Sequence, residues 1–299
     1  MKILVTGAGG FVGSRLTPAL KSVGHNVLKL SRSNLENSYD VQWNPKTGIA
    51  ADELKKLEGI GAVIHLAGES VADGNWSDEK KARIRESRVE GTRALVDSLN
   101  SLIKKPKIFI GASAIGYYGN RGEEILTEES AKGEGFLAEV AADWESEIQR
   151  ASIFAERVNT VRIGIVLSKE GGALGAMLTP FSYGVGGVLG SGKQYMSWVA
   201  LEDLVRAFVF LINNDEINGV VNAVSPNPVT NQEFTAALGK VLNRPTVIPI
   251  PEFGIKFIFG EKGQKLLLDG ARVLPKALED AGFEFEYPKI IEALEKALK

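Results

Sequence analysis

Cysteine is absent from this sequence of 299 residues, and histidine occurs only twice. Without cysteine the chain has no disulfide framework, no thiolate nucleophile and no cysteine-ligated zinc. Two histidines are too few for a histidine-rich metal site, so we expect no metal centre. A chain without disulfides suits a reducing compartment, and we therefore expect a cytoplasmic protein.

A strong net charge and a long apolar run are also absent. Lys and Arg total 35 and Asp and Glu total 37, which gives a formal net charge of −2. This balance lacks the basic excess of a nucleic-acid-binding surface. No stretch approaches the roughly 20 apolar residues that a membrane-spanning helix needs, and Ile3–Val5 is too short for the apolar part of a signal peptide. We expect a small-molecule partner, with neither nucleic acid nor membrane, and the composition predicts no oligomeric state.

Short apolar runs alternate with amphipathic stretches through much of the chain. The runs predict buried strands, and the apolar spacing of the stretches predicts helices. The predicted strands are Lys2–Thr6, Val27–Leu30, Asp40–Trp43, Ala62–Leu66, Lys107–Gly111 and Val158–Val166. The predicted helices are Phe11–Val23, Asp78–Asn100 and Gly135–Phe154. Strands that are apolar nearly throughout indicate an α/β fold, a doubly wound parallel sheet with helices on both faces.

A glycine-rich stretch with little charge, Ser168–Gly192, interrupts this alternation and predicts an irregular segment. Long irregular segments inside a domain usually serve a site. We therefore expect residues 168–196 to form a lid over the binding cleft, whose glycines permit motion.

A second change of pattern follows helix Glu202–Ile212 and strand Gly219–Val224. The turn residues Ser225–Pro228 predict a boundary between a larger domain, residues 1–225, and a small, mostly helical substrate-side domain, residues 226–299. The elements predicted in the small domain are helix Asn231–Leu242, strand Thr246–Ile250 and helix Ile290–Leu298.

The first predicted strand leads directly through the turn GAGGFVG, positions 7–13, into the first predicted helix. Spaced glycines alone are a weak signal, but this strand–turn–helix setting is that of a dinucleotide-binding turn. One glycine permits the tight turn, a second lets the backbone approach a pyrophosphate, and a third allows helix and strand to pack closely. The helix N-terminus offers free N–H groups to the phosphates. The residues predicted to hold a nicotinamide dinucleotide here are Gly7, Gly10, Phe11, Val12 and Gly13.

The end of the second strand predicts which dinucleotide binds. NAD-binding proteins usually place a carboxylate there to hold the ribose 2′-hydroxyl. This chain has Ser31, Arg32 and Ser33 instead. Arg32 can pair with a 2′-phosphate and the hydroxyls can assist, although a solvated loop arginine is the alternative interpretation. Because the acid is missing, the sequence favours NADP(H) over NAD(H).

The motifs resemble those of the extended short-chain dehydrogenases/reductases, a group of sugar-nucleotide epimerases and dehydratases with a Rossmann fold. Besides the glycine turn, the similar stretches are VIHLAG at 63–68, GAS with YG between 111 and 119, and RIG at 162–164. The resemblance implies that Ser113 holds the position of the catalytic serine. It also implies contact with the cofactor for Leu66, Ala67, Gly68, Ala112, Ile163 and Gly164.

Essentially the whole chain is similar to one atypical subgroup, the epimerase-family or cell-division-inhibitor-like proteins. Motifs such as GYYG at 116–119, FLAE at 136–139 and DWE at 143–145 carry this similarity. Leu274-Pro275 and Tyr287-Pro288 look like parts of the subgroup's C-terminal domain of unknown function.

The usual catalytic pair of the superfamily is missing. Ordinary members carry Tyr-x-x-x-Lys on the helix after the serine strand, and the tyrosine acts as acid or base beside the hydride. Here Leu137 stands at the tyrosine position and Ala141 at the lysine position, and neither side chain transfers protons. Ser113 and Tyr117 are therefore the candidate catalytic residues, with packing an equal alternative for Tyr117.

Three further side chains are substrate candidates, each with an ordinary alternative. Glu69 follows the fourth-strand motif and is either an acid/base or hydroxyl anchor, or an exposed loop residue. Arg88 either binds an anionic substrate or pairs with Glu69. Trp198 either stacks on the substrate or belongs to the core.

Two functions remain open. The first is an NADP-dependent oxidoreductase similar to nucleoside-sugar epimerases, acting on a small polar substrate. The second is a non-catalytic NADP(H)-binding redox sensor, which the missing pair favours.

Overall fold

A seven-stranded parallel sheet forms the centre of the fold. The computed structural model describes residues 1–32 and 40–299. The strands are β1 (Lys2–Thr6), β2 (Asn26–Ser31), β3 (Val41–Gln42), β4 (Ala62–His65), β5 (Ile108–Ala114), β6 (Ile125–Leu126), β7 (Arg157–Ile163), β8 (Ile165–Leu167), β9 (Tyr195–Met196), β10 (Trp198–Ala200), β11 (Gly219–Ala223), β12 (Val229–Thr230) and β13 (Arg272–Val273). The large sheet has the order β11-β7-β5-β4-β1-β2-β3.

Ten α-helices lie within the described residues. They are α1 (Gly13–Ser22), α2 (Ala51–Leu54), α3 (Asp78–Asn100), α4 (Phe136–Gln149), α5 (Gly172–Ser182), α6 (Leu201–Asn213), α7 (Asn231–Leu242), α8 (Glu252–Gly263), α9 (Lys276–Asp280) and α10 (Ile290–Leu298). A π-helical turn, Gln264–Leu268, extends α8. No helix among the described residues is long and apolar enough to cross a membrane.

Helices cover both faces of the sheet, because successive strand residues point to opposite sides. On β1, Ile3 and Val5 belong to the apolar cluster that includes α1 and α6, whereas Leu4 belongs to the cluster that includes α3 and α4. These side chains are all fully buried. The prediction of a doubly wound parallel sheet is confirmed.

Strand order creates the cleft. The chain passes from β1 outward to β2 and β3, and then returns to place β4 on the other side of β1. The connections after β1 and β4 therefore diverge, which leaves a crevice at the carboxyl ends of these strands, where α/β proteins bind ligands.

Three sequence predictions about these elements are wrong. The segment predicted to be irregular contains α5, because Leu174 and Phe181 share one buried face and stabilise a helix despite its glycines. The strand predicted at Thr246–Ile250 is absent apart from a single bridge at Ile250, since Pro249 has no N–H to donate to a ladder. The strand predicted at Val158–Val166 divides at Gly164, after which β8 pairs with β10 outside the large sheet.

The C-terminal residues pack onto the body of the fold. Leu294 of α10 and Leu238 of α7 share one cluster with Leu167 and Trp198. Residues from both sides of the predicted boundary at 225 therefore contribute to the same core.

The joint between β1 and α1 yields a stability prediction. A Cβ added at Gly13 would lie 2.2 Å from the carbonyl oxygen of Gly7, whereas nothing lies within 4 Å of one added at Gly9. We expect Gly13→Ala to lower the free energy of unfolding by about 1–3 kcal/mol, as overpacking does. Denaturant unfolding without cofactor measures this. The matched control Gly9→Ala should lose almost nothing, and equal losses in the two variants would contradict the close packing.

Candidate functional site

The turn after β1 brings three backbone segments together at the cleft. Gly7 has a φ of +67°, a conformation that favours glycine. A Cβ there would lie 2.9 Å from the carbonyl carbon of Leu66. Gly10 donates its N–H to the carbonyl of Gly7 at 2.9 Å, which closes the turn. The glycines thus allow β1, the turn and the end of β4 to approach more closely than side chains would permit.

A cleft of about 460 Å³ lies against this turn. Its lining contains seven of the residues expected to contact a cofactor. They are Gly7, Gly10, Ser31, Arg32, Leu66, Ala67 and Gly68. Arg32 is exposed at the far end of the cleft, whereas Ser33 lies outside the described residues.

The remaining cofactor candidates stand back from the cleft lining. Phe11 packs against Gly171 and Gly172, and Val12 packs onto the apolar cluster beneath α1. Ala112 is buried in the cluster with α3 and α4. Ile163 is half-buried at the end of β7, and Gly164 lies where the carbonyl of Ser197 would be 2.6 Å from an added Cβ.

Three fully buried polar side chains, Thr6, His65 and Thr92, form a row of hydrogen bonds at the end of β1 and β4. The hydroxyl of Thr6 accepts the N–H groups of Leu66 and Ala67, each at 3.1 Å, and lies 2.7 Å from Nδ1 of His65. Because that oxygen already accepts two N–H groups, its own proton goes to Nδ1, which leaves Nε2 to donate to Thr92 at 2.9 Å. Burial lowers the pKa of His65 from 6.5 to about 4. His65 is therefore a neutral structural residue at neutral pH.

A second, smaller cavity of about 250 Å³ adjoins the end of β5. Ala114 of β5 and Ile165 of β8 line it, and Leu137, Ala138 and Ala141 of α4 form an apolar wall. The two positions that the sequence resemblance matches to the tyrosine and lysine of ordinary members, Leu137 and Ala141, thus face this cavity without a proton-transferring group.

Arg88 of α3 connects the cleft and the cavity. A Cβ on Gly68, which lines the cleft, would lie 3.3 Å from the Arg88 Cζ, and Arg88 itself lines the cavity. Its Nη1 donates to the backbone oxygens of Glu69 at 2.9 Å and Ile84 at 3.1 Å. The guanidinium lies 5.0 Å from the ring centre of Trp144. Burial lowers the pKa of Arg88 to about 10, so it remains a cation at neutral pH.

The carboxylate of Glu69 pairs with lysine rather than with Arg88. Its Oε1 lies 2.7 Å from Lys80 Nζ and 3.7 Å from Arg83 Nε. The hydrogen bond from Lys80 lowers the pKa of Glu69, which is therefore charged at neutral pH. The sequence left two interpretations of Arg88, binding of an anionic substrate or an ion pair with Glu69. The structure does not form that ion pair.

Ser113 belongs to a buried ion-pair network. It is 3% exposed and donates its hydroxyl proton to Glu145 Oε1 at 2.7 Å. Arg162 binds both oxygens of the same carboxylate, each at 2.8 Å. Burial alone would lower the pKa of Arg162, but the pair with Glu145 outweighs it and raises that pKa. The guanidinium also lies 3.4 Å from the ring centre of Tyr117. Neither Ser113 nor Tyr117 lines the cavity.

Trp198 occupies a place that differs from the expected substrate contact. Its side chain is fully buried in the cluster with α7 and α10, and its Nε1 donates to the carbonyl of Asn227 at 3.1 Å. β10 carries it away from the cleft because that strand pairs with β8 beneath the C-terminal helices.

Two models of known protein families match parts of this chain. The model of the NAD dependent epimerase/dehydratase family matches residues 3–223, and that of a domain of unknown function matches residues 250–297. This chain belongs to the NAD-dependent epimerase/dehydratase family. The resemblance drawn from its motifs is confirmed.

Three members of this family illustrate the similarity. An epimerase family protein of Mycobacterium bovis is 41% identical over 98% of this chain and 96% of its own length. The structure of human epimerase family protein SDR39U1 with NADPH has a TM-score of 0.88 at 28% identity and covers 100% of both chains. A nucleoside-diphosphate sugar epimerase of Corynebacterium glutamicum has a TM-score of 0.80 at 35% identity and covers 100% of this chain and 58% of its own.

The sequence did not predict the polar residues on the side of the cavity opposite α4. Tyr195 lines the cavity from β9, and Arg272 lies 5.0 Å from the centre of its ring. Lys265 and Asp269 also line it and pair with each other at 2.9 Å. Tyr195 is distant in sequence from Lys265, Asp269 and Arg272, and no motif links it to them.

The neutral His65 predicts a pH dependence of stability. The unfolded protein takes up a proton near pH 6.5 that the folded protein does not accept until about pH 4. The free energy of unfolding should therefore fall as the pH drops through this window, by up to about 3 kcal/mol from this residue. Denaturant unfolding measured from pH 7 to 4.5 should show that the free energy of unfolding falls less steeply with decreasing pH in His65→Gln than in the wild type. His25→Gln removes the other, partly exposed histidine and should change the slope less; identical slopes for wild type and His65→Gln would exclude the assignment.

Proposed function

We propose that this protein is an NADP(H)-dependent oxidoreductase that holds its cofactor in the cleft and its substrate in the adjoining cavity. The observation that carries the proposal is the continuity from exposed Arg32 through the glycine turn to Gly68, where the cleft meets the cavity. Arg32 offers a positive charge to the phosphate on the adenosine ribose, and the backbone of the glycine turn offers N–H groups to the pyrophosphate. The largely apolar cavity then lies beside the nicotinamide ring.

The backbone of the turn supports a bound pyrophosphate. Ser14 donates its N–H to the carbonyl of Gly10, but the N–H groups of Phe11, Val12 and Gly13 have no backbone acceptor among the described residues. A helix N-terminus with free N–H groups is an anion site. An added Cβ at Gly9 meets no protein atom within 4 Å, so a ligand can approach the backbone there.

The charge at the end of β2 supports NADP(H) over NAD(H). Arg32 is exposed, and no ion pair involves it among the described residues. A buried carboxylate, Asp40, also lines this end of the cleft. A 2′-phosphate would pair with Arg32, whereas a carboxylate such as that of Asp40 is the type of group that accepts a hydrogen bond from a ribose 2′-hydroxyl. The related human protein, whose structure contains NADPH, favours the first assignment.

The cavity supplies the groups for chemistry on the substrate. NADPH, when bound, supplies a hydride. Tyr195 offers a phenol on the cavity wall, and Arg88 offers guanidinium N–H groups that can hold an oxygen of the substrate. We assign the proton-donor role to Tyr195 rather than to Ser113 or Tyr117, because Tyr195 lines the cavity and the other two do not. The Ser113 hydroxyl is in addition bound to Glu145.

A non-catalytic NADP(H)-binding redox sensor is the second candidate. The apolar wall formed by Leu137, Ala138 and Ala141 favours it, because the usual acid/base pair has no replacement at the same positions. Incubation with NADPH and a library of carbonyl compounds, followed by the absorbance of the reduced nicotinamide, separates the two. Saturable oxidation supports the enzyme, whereas tight binding without turnover or product supports the sensor. Product analysis is needed as well, since an epimerisation leaves the absorbance unchanged.

The cofactor preference depends on Arg32. We expect Arg32→Ala to weaken NADPH binding by about 10- to 100-fold, the loss of one charge-assisted contact, and to leave NADH binding within about twofold. Fluorescence titration of both cofactors measures this. Lys21→Ala removes an exposed positive charge on α1 and should weaken neither. Equal weakening of NADPH and NADH by Arg32→Ala would refute the 2′-phosphate contact.

The proton donor is tested with two tyrosines. Once the library identifies a substrate, Tyr195→Phe should lower kcat by about 100-fold or more, as loss of a general acid does, without changing NADPH binding. Tyr117→Phe keeps the ring that stacks on Arg162 and should retain turnover. The opposite ranking of the two variants would return the role to Tyr117.

A further inference from the structure

Arg88 has unused hydrogen-bonding capacity directed at the cavity. Only Nη1 has acceptors among the described residues, the backbone oxygens of Glu69 and Ile84. Nε and Nη2 are not sealed from solvent, and the space that Arg88 lines is the cavity. The two bound carbonyls and the Trp144 ring hold the guanidinium in place.

The charge of Arg88 is not neutralised by the carboxylates near it. Glu69 accepts a hydrogen bond from Arg88 only through its backbone oxygen, and its carboxylate, which pairs with Lys80, attracts Arg88 without contacting it. Asp269, on the opposite wall, pairs with Lys265. Glu134 also lines the cavity but is exposed and makes no ion pair with Arg88. A partly buried cation without a carboxylate in direct contact carries a desolvation cost that an anionic ligand would offset.

The rest of the lining restricts what that ligand is. Most of its side chains are apolar, among them Val71, Ile84, Leu137, Ile165 and Leu266. Its volume of about 250 Å³ is smaller than the roughly 300–1,000 Å³ of pockets for drug-sized ligands. These features suit a compact apolar body with a single charged group, in contrast to the polar substrate expected from the sequence.

We propose that the cavity binds a small organic acid with an apolar body, and that Arg88 binds its carboxylate through Nε and Nη2. A planar guanidinium with two adjacent N–H groups matches the two oxygens of a carboxylate. This inference rests on the proposed function, since the acid would occupy the substrate side of the NADP(H) site. The competing source of the negative charge is a phosphate of the cofactor itself.

The experiment uses pairs of acid and neutral amide as probes. Benzoate with benzamide, cinnamate with cinnamamide and hexanoate with hexanamide are titrated by calorimetry into the full chain, with and without saturating NADP⁺. NADPH affinity is measured separately. We expect at least one acid to bind about tenfold or more tightly than its amide, because a hydrogen-bonded charge contributes that much.

Variants of α3 identify the residue responsible. Arg88→Met should abolish the preference for the acid, and Arg88→Lys, which keeps the charge but loses the paired N–H groups, should retain only part of it. The matched control is Arg85→Met, which removes a partly exposed arginine on the same helix that pairs with Asp143. It should leave every affinity unchanged.

A second variant leaves Arg88 in place, in case its replacement unfolds the protein. Leu137→Glu puts a carboxylate on the cavity wall in the first turn of α4, where a negative charge is favourable for the helix. The new carboxylate should occupy Arg88 and repel the acid. Acid binding should then fall to the level of the amide, while the amide still binds.

The outcomes separate this inference from the proposed function. If the wild type binds NADPH but treats acids and amides alike, the inference fails and the proposed function stands. If Arg88→Met weakens NADPH binding tenfold and the wild type shows no acid preference, Arg88 serves a cofactor phosphate and the inference is also overturned. If NADPH does not bind at all, the proposed function fails, and an acid preference lost in Arg88→Met still supports the carboxylate site.

Discussion

The close approach of backbone at Gly7 is the constraint on which the site depends. The peptide of Leu66 lies on one side of Gly7 and α1 begins on the other, with room for a Cβ on neither Gly7 nor Gly13. Thr6, one residue earlier, fixes the same joint by accepting the N–H groups of Leu66 and Ala67. Since this joint sets where α1 begins and where β4 ends, it determines the position of both the phosphate cradle and the residues that follow β4.

Three arginines near the site differ in how their charge is balanced. Arg162 is buried and fully engaged by Glu145, so it stabilises the ends of β5 and β7. Arg32 is exposed and costs nothing to leave unpaired in water. Arg88 is partly buried, is held by neutral carbonyls and an aromatic ring, and has no carboxylate in direct contact. This contrast is why a ligand contact is assigned to Arg32 and Arg88 and a structural role to Arg162.

Much of the fold could be predicted from the sequence because strong periodicity and local turn chemistry determine it. β1, α3, α7 and α10 begin and end at the predicted residues. α5 was missed because tertiary burial of Leu174 and Phe181 outweighs its glycines. The cradle could likewise be predicted, since its residues are contiguous. The cavity could not, because Arg88, Tyr195 and Lys265 meet only through the folded chain, and no spacing in the sequence encodes the engagement of Ser113 by Glu145.

A crystal structure of the protein with NADPH tests the central claim that the cleft and the cavity form one cofactor and substrate site. The account predicts density for the pyrophosphate against the glycine turn, the 2′-phosphate beside Arg32 and the nicotinamide next to Gly68, facing the apolar wall at Leu137. A cofactor bound with its nicotinamide away from Gly68 and the cavity, or with Arg32 directed to solvent, would contradict it.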